Sequence, residues 1–364
     1  MKKITGLLLL GYVLLNSLQA TAQSYAESAL LFSRINPGGS ARIQALGGTQ
    51  VSLGGDYSSA FSNPAGLGMY NRSEFTITPG FTSSKTSSEY LGNTTGDAQS
   101  KIIVPGLSFV FHSDKSVGKL LGGTFGISVN RINDFNRTFN YTGVNNNNSL
   151  IDYFVGVANN QNATPTELFS QNGSLYNDPT GLAWDNWLLI DTGPRNYAAD
   201  TVNKDAVGFF GKPQQFEKVQ TKGSQYQVSI SYGINLSDRV FLGAGVGITS
   251  LDFTSRKTYS ETFPSGNRPL NSMVLAENLH TSGSGINLTL GAIYKPIDFF
   301  QVGFSVATPT LYSLNDSYSA AMSTDWRNFP YGAPNLPAGP IATDRKSTRL
   351  NSSHERLSRM PSSA

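Results

Sequence analysis

Hydrophobic and polar residues alternate with period two along much of the chain, most cleanly in "QYQVSISYGINLSDRVFLGAGVGIT", residues 225 to 249. One set is Gln225, Gln227, Ser229, Ser231 and Gly233; the interleaved set is Tyr226, Val228, Ile230, Tyr232 and Ile234. After a short Asn-Leu-Ser-Asp turn, Leu242, Ala244, Val246 and Ile248 alternate with Gly243, Gly245, Gly247 and Thr249. A period of two means strands with one apolar face and one polar face. The pattern recurs at Phe125/Ile127/Val129, at Ile286/Leu288/Leu290/Ala292/Tyr294 and at Val302/Phe304/Val306. It predicts seven strands: Ser73–Ser83, Lys101–His112, Gly122–Asn133, Ser224–Leu236, Arg239–Thr258, Gly283–Lys295 and Phe299–Leu311. The joins Asn235–Asp238 and Lys295–Asp298 are tight, the second with Pro296 suited to turn position i+1. The joins 84–100, 134–223 and 259–282 are read as long loops.

Composition sharpens the question of what the apolar faces touch. Only 14% of the 364 residues are charged, against roughly 25% in an average soluble domain. The 21 Phe and 16 Tyr lean toward β-structure, and there is no cysteine, so a disulfide framework and a CxxC redox or zinc site are excluded. Lys2 and Lys3 supply two charges of the net +3 and residues 344–364 supply three, which leaves the middle of the chain at −2. No basic nucleic-acid surface is indicated.

Residues 1–22 have the layout of a secretory signal peptide. Lys2 and Lys3 precede the apolar stretch Leu7 to Leu15, and Ala20 and Ala22 make an A-x-A cleavage site. Beyond them no run of 18 apolar residues occurs, so a transmembrane helix is not expected. An exported, charge-poor chain of alternating strands is either a secreted sandwich or an outer-membrane barrel. A sandwich should carry Lys, Glu and Thr on its wet face. Here the polar face carries Ser, Gly, Gln and Asn, and aromatics such as Tyr226, Tyr232, Phe241 and Tyr294 flank the apolar one. That favours an all-β, up-and-down antiparallel barrel in a Gram-negative outer membrane, with lipid outside and a tight lumen within. Short turns alternate with long joins as such barrels require, with strand one running outward.

Ahead of strand one, "GGSARIQALGGTQVSLGGDYSSAFSNPAGLGMYNRSEF" (38–75) carries caps for helices too short to stand alone. Ser40 caps one ending at Gly47 and Asp56 caps another turn. Asn63 with Pro64 at N1 starts a third, which Gly66 and Gly68 end. "ARIQALGGTQVSLGGDYSSAFSNPAGL" resembles the N-terminal hatch of the FadL/TodX family of outer-membrane hydrocarbon transporters, in its Bacteroidetes form. The resemblance runs over residues 24 to about 330, specific in the hatch and generic in the strands. It implies a 14-stranded barrel plugged by a hatch at 23–72, passing long-chain fatty acids or aromatic hydrocarbons to a lumen site and out sideways through a kinked strand. It implies no cofactor or metal; the partners would be the hydrophobic ligand, outer-membrane lipid and the barrel assembly machinery. Carried over, Asn63, Pro64 and Ala65, followed by Gly66 and Leu67, form the hatch pivot and ligand path.

In the long join 134–223, Leu150, Ile151, Phe154, Val155 and Ala158 stand at helical spacing. Thr164 and Glu167 form a capping box with Pro165 at N1, and Asp178 caps a helix starting at Pro179. Phe154, Trp184, Trp187 and Leu188 make a candidate hydrophobic groove that collects ligand; the alternative is that these faces pack only on one another.

Catalytic motifs fail on inspection. "GAGVG" (243–247) has Ile248 where a nucleotide loop needs glycine, "HERLS" has Ser358 where a zinc motif needs its second histidine, and no G-x-S-x-G occurs. Of the histidines outside the tail, His112 lies near a turn and His280 in a long join; both read as polar surface residues. The chain is read as a non-enzyme. "DRKSTRLNSSHERLSRMPSSA" (344–364) is abruptly charged, lacks alternation and reads as a non-native tail, which leaves 73–343 as about half a barrel. Two functions remain, a passive channel for hydrophobic molecules or a barrel scaffold of the kind used in type IX secretion, with an outer-membrane barrel enzyme third. Apolar side chains facing inward near the hatch would mark the channel.

Overall fold

The computed structural model describes residues 23–36, 38–114, 116–169, 179–199, 213–264, 270–326 and 347–349. The signal-peptide reading of 1–22, the Asp178 cap and most of the tail lie outside them. The described residues fall into two units, 23–36 and 38–349. Of the first, helix α1 (Gln23–Ser33) is described.

The second unit is a strongly antiparallel sheet. Strands β1 (Glu74–Tyr90), β2 (Asn93–Ser113), β3 (Leu120–Asp134) and β4 (Arg137–Val144) come first. After a helical insertion follow β7 (Gln214–Leu236), β8 (Val240–Thr262), β9 (Leu270–Ile297), β10 (Phe300–Ala307) and β11 (Leu311–Trp326). β3 and β4 pair in succession along β7, and β10 and β11 along β9, so each couple is one interrupted strand. The described sheet therefore has seven long staves in the order β1, β2, β3/β4, β7, β8, β9, β10/β11, the number that the alternation predicts. The short β12 (Ser347–Arg349), within the segment read as a tail, adds three pairs to β11. The curled sheet forms a half-barrel, and no helix among the described residues is long and apolar enough to cross a membrane.

Register turns the period-two pattern into rows across the sheet. Ile77, Leu107, Val129, Val228, Ile248 and Ile286 face one another in sequence over six staves, and Leu311 of β11 completes the row. The next apolar row is Phe75, Phe109, Ile127, Ile230, Val246 and Leu288. The rows between carry Ser108, Ser128, Ser229, Gly247 and Asn287, or Asn130, Gln227 and Thr249. Burial is inverted relative to a soluble sheet. Gln225, Gln227, Ser229 and Ser231 are buried, whereas Ile102 is 81% and Leu290 58% exposed. Tyr226, Val228, Ile230 and Tyr232 lie together on the face that, among the described residues, no second sheet covers.

The long joins are corrected in one respect. β1 and β2 continue well past the apolar rows and meet in a two-residue turn, Leu91-Gly92, both at positive φ as a type I′ hairpin requires. β7, β8 and β9 likewise run on through segments read as loops. In the β1–β2 extension both faces are polar, so the hydrophobic period vanishes while the backbone ladder carries on; in β7 and β9 apolar residues recur only in places, at the buried Val219, Leu270, Met273 and Leu275. The extended β1–β2 tip folds onto β4: the Thr86 hydroxyl donates to Thr138 O at 2.6 Å, and Gly143 lies against Tyr90 and Leu91. The last predicted strand is also split, at Thr308-Pro309-Thr310, where proline interrupts the ladder.

Helices α4 (Leu150–Asn160), α5 (Pro165–Phe169) and α6 (Pro179–Asp185), with the hairpin β5 (Leu189–Gly193) and β6 (Asn196–Ala199), form a layer at the extended end. α5 begins at its predicted cap: the Thr164 N–H donates to Glu167 Oε2 at 2.7 Å and Glu167 N–H to Thr164 Oγ1 at 3.3 Å. Ser149 and Asp152 close a capping box on α4.

Candidate functional site

Residues 38–70 lie against the polar inner face of the half-barrel, as expected of a segment without a core of its own. They carry α2 (Ala41–Ala45), α3 (Ser59–Ser62) and a 3₁₀ turn, Pro64–Met69. Ser40 caps α2 by accepting from Ile43 N–H, and Asp56 accepts from Ser58 N–H at 2.9 Å while taking the Ser40 hydroxyl at 2.6 Å. The chain's Asn-Pro step works as read: Asn63 Oδ1 accepts from Ala65 N–H at 3.1 Å, with Pro64 at N1.

The inner face receives this segment on a row of glycines. Gly233, Gly243 and Gly291 face one another across β7, β8 and β9. A Cβ on Gly233 would stand 2.5 Å from Pro64 O; one on Gly243 would overlap the Pro64 carbonyl carbon, and one on Gly291 the Asn63 amide oxygen. Gly303 on β10 meets Val51 and Ser52 in the same way, and Gly68 of the segment returns the contact against Ile234. Backbone thus lies on backbone, a separation that only residues without a side chain allow.

Hydrogen bonds then fix the position. Asn63 is fully buried, and its Nδ2 donates to Val51 O at 2.5 Å and to Phe304 O at 3.4 Å. Ser231 donates to Ala60 O and Ser305 to Ser62 O, each at 2.6 Å, and Gln301 to Ser52 O at 2.7 Å. Two apolar contacts complete the seat: Tyr57, Ala60, Leu67 and Tyr70 with Val110 of β2, and Ala65 with Phe241 of β8 and Ile293 of β9. Burial pushes the Tyr57 phenol up, so it stays protonated beside Thr78.

All five residues proposed from the sequence for this site, Asn63, Pro64, Ala65, Gly66 and Leu67, are therefore buried at the contact. The glycine row that holds them went unread. Its signal was present in the glycines at 243, 245 and 247 of β8, which sequence reasoning took only as the small side of a strand.

A kink lies close by. Between β1 and β2 the register shifts at Thr78/Gly80, where Pro79 stands opposite the Val104–Pro105 step. Two prolines on facing strands remove two ladder donors at one level. Tyr57 of the inner segment reaches this point, its hydroxyl 3.0 Å from Thr78 Oγ1.

The second proposed site is not brought together as an open groove. Phe154 and Leu188 are fully buried along with Ile151, Ala158, Leu168 and Ala183. Trp184 stacks edge-on to Tyr197 at 5.5 Å, and Trp187 is 42% exposed. Phe154 and Leu188 thus lie in the core of the helical layer, the packing alternative, while Trp187 stays outside it. What anchors that layer is Glu261, unremarked in the sequence. Its buried carboxylate accepts from Leu150 N–H at 2.9 Å, Gln215 Nε2 at 2.7 Å, Tyr259 OH at 2.7 Å and the Ser149 hydroxyl. A carboxylate at the first turn of α4 also meets the positive end of the helix dipole.

The histidines stay apart. His112 bridges Thr124 (2.8 Å) and Asp114 (2.6 Å) near a turn, but Thr124 is fully buried and offers no reachable nucleophile. His280 sits by Thr254 at 3.1 Å. Among the described residues no group of three or more His, Cys, Asp or Glu could hold a metal ion. No protein-family profile, curated protein or solved structure matches this chain.

Proposed function

We propose that this chain is a membrane-embedded β-barrel protein of a Gram-negative outer membrane, with residues 38–70 as its plug, that lets small hydrophobic molecules cross. The single observation that carries the membrane reading is the inverted burial: unbroken apolar rows over six and seven staves on the uncovered face, polar rows on the covered one. From Tyr226 to Ile234 the apolar run measures about 27 Å along the strand, which a tilt of about 40° reduces to roughly 20 Å before side chains extend it. That approaches the apolar band of about 25 Å such proteins present to lipid. In water this surface would be an aggregation hazard of several staves' width.

The plug supports passage because it is held by contacts that a small shift would release together, and because the double-proline kink gives a weak place in the wall beside it. A ligand would meet the plug, move Tyr57 and leave through that kink.

A second reading, a secretion or assembly scaffold, is favoured by one observation: Val110, Phe241 and Ile293 apart, the rows that face inward are mainly polar, with Ser108, Thr124, Ser128, Gln227 and Ser229. Reconstitution separates the two. Vesicles holding the refolded chain should admit oleate faster than protein-free vesicles and exclude sugars. Oleate entry equal with and without protein would reject the channel and leave the scaffold.

A further inference from the structure

The apolar face is not uniform. Between two of its rows runs a groove of about 430 Å³, lined by β3, β7, β8, β9 and β10. Its floor is made where side chains are absent or point inward, at Gly245 and Ser231, and its centre is Ala244, the smallest outward residue on β8. Ile230, Val246 and Leu288 form one wall, Leu290 and Val306 the other. Tyr232 would close the groove but leans away over Gly123, where any Cβ would meet its ring. The far end stops at the strand break, where Thr308 Oγ1 takes the Leu288 N–H at 3.0 Å and so leaves no free donor in the apolar wall.

We propose that this groove is a binding seat for one acyl chain of a membrane phospholipid. The inference rests on the membrane reading above, because the groove opens only onto the apolar rows. Five staves set its length at about 19 Å, which suits the roughly 15 Å that one lipid chain contributes to a bilayer core. Its lining is almost wholly apolar, and the Ser231 and Thr308 hydroxyls are already bonded, so the occupant is a hydrocarbon chain and not a headgroup. Crossing the strands, the groove would hold the chain obliquely, and that chain would exchange more slowly than lipid on the ridges beside it.

The test uses the full chain, refolded into vesicles of palmitoyl-oleoyl phosphatidylethanolamine, extracted in mild detergent and weighed by native mass spectrometry. Wild type should retain one phospholipid. Ala244→Trp, which fills the groove, should lower retention at least ten-fold, and Ala244→Leu should lower it less. Leu311→Trp, on the same face outside the groove, should leave it unchanged. Heat-modifiable migration of each variant shows that it has folded. Equal retention by Ala244→Trp and Leu311→Trp in folded protein, or no retained lipid in wild type, overturns the seat while leaving the membrane reading intact. Failure of every variant to enter vesicles would instead overturn the membrane reading and the seat with it.

Discussion

Replacing Gly243 by alanine should loosen the inner segment. The new methyl would be driven into the Pro64 carbonyl carbon and Ala65 N, which are backbone atoms and cannot rotate away. Nor can the turn slide freely, because Asn63 beside it donates across to Phe304 O on β10. Overpacking of this kind costs about 1–3 kcal/mol. If the turn lifts instead, it loses the Ser231 and Ser305 bonds, each worth about 1 kcal/mol, for a similar total. At about 2 kcal/mol the opening equilibrium rises roughly thirty-fold. Where opening is fast relative to cleavage, protease attack tracks that equilibrium. In detergent, cleavage within 40–68 should therefore accelerate by about that factor in Gly243→Ala, with cleavage in the helical layer unchanged. Gly156→Ala is the control: on α4 its methyl meets nothing within 4 Å, so it should stabilise that helix by up to about 1 kcal/mol. If Gly243→Ala is cut at the wild-type rate, the segment is not seated on the glycine row.

Other outcomes follow from the same geometry. Ile230→Arg places a charge in the middle of an apolar row and should cost about 2–4 kcal/mol of membrane stability; vesicle insertion as efficient as wild type would show that the rows do not face lipid. Glu261→Ala strips four donors of their acceptor, so amide exchange in α4 should quicken by at least ten-fold, whereas protection equal to wild type would deny it the anchoring role. Burial pushes the Asp185 carboxyl from 3.8 up to about 6. Its folded form thus prefers the proton: the contribution to the helical layer is full below about 4 and is lost as pH rises through about 6. Emission from the adjoining Trp184 and Trp187, read in a Trp326→Phe background, should titrate near pH 6 and become flat in Asp185→Asn; a curve unchanged by Asp185→Asn would refute the assignment.

Much of the architecture was legible in the sequence because a pleated strand fixes a period of two regardless of its partners. Tyr226 to Ile248 alone declared which side chains share a face, and Asn235–Asp238 declared the turn between them. The short caps at Ser40, Asn63 and Thr164 were equally readable, since each depends on residues within four positions. Where the strands end was not legible. Beyond Ser83 and Thr258 neither face needs to be apolar, so hydrophobicity carries no period there, and only the ladder to a partner strand shows that the strand continues.

The site divides along the same line. Asn63-Pro64-Ala65 announced a local turn, but its seat is made by Gly233, Gly243 and Gly291, which lie some 170 to 230 residues further along the chain. A glycine that makes room for distant backbone leaves no mark in hydropathy, because what matters is the atom it lacks. Phe154 and Leu188 show the converse. Amphipathic spacing said that they would be covered, and only the packing of α4, α6 and β5 decided that protein covers them. Sequence fixed the direction in which each side chain points; tertiary structure chose what it meets, because that depends on strands brought together across long stretches of chain.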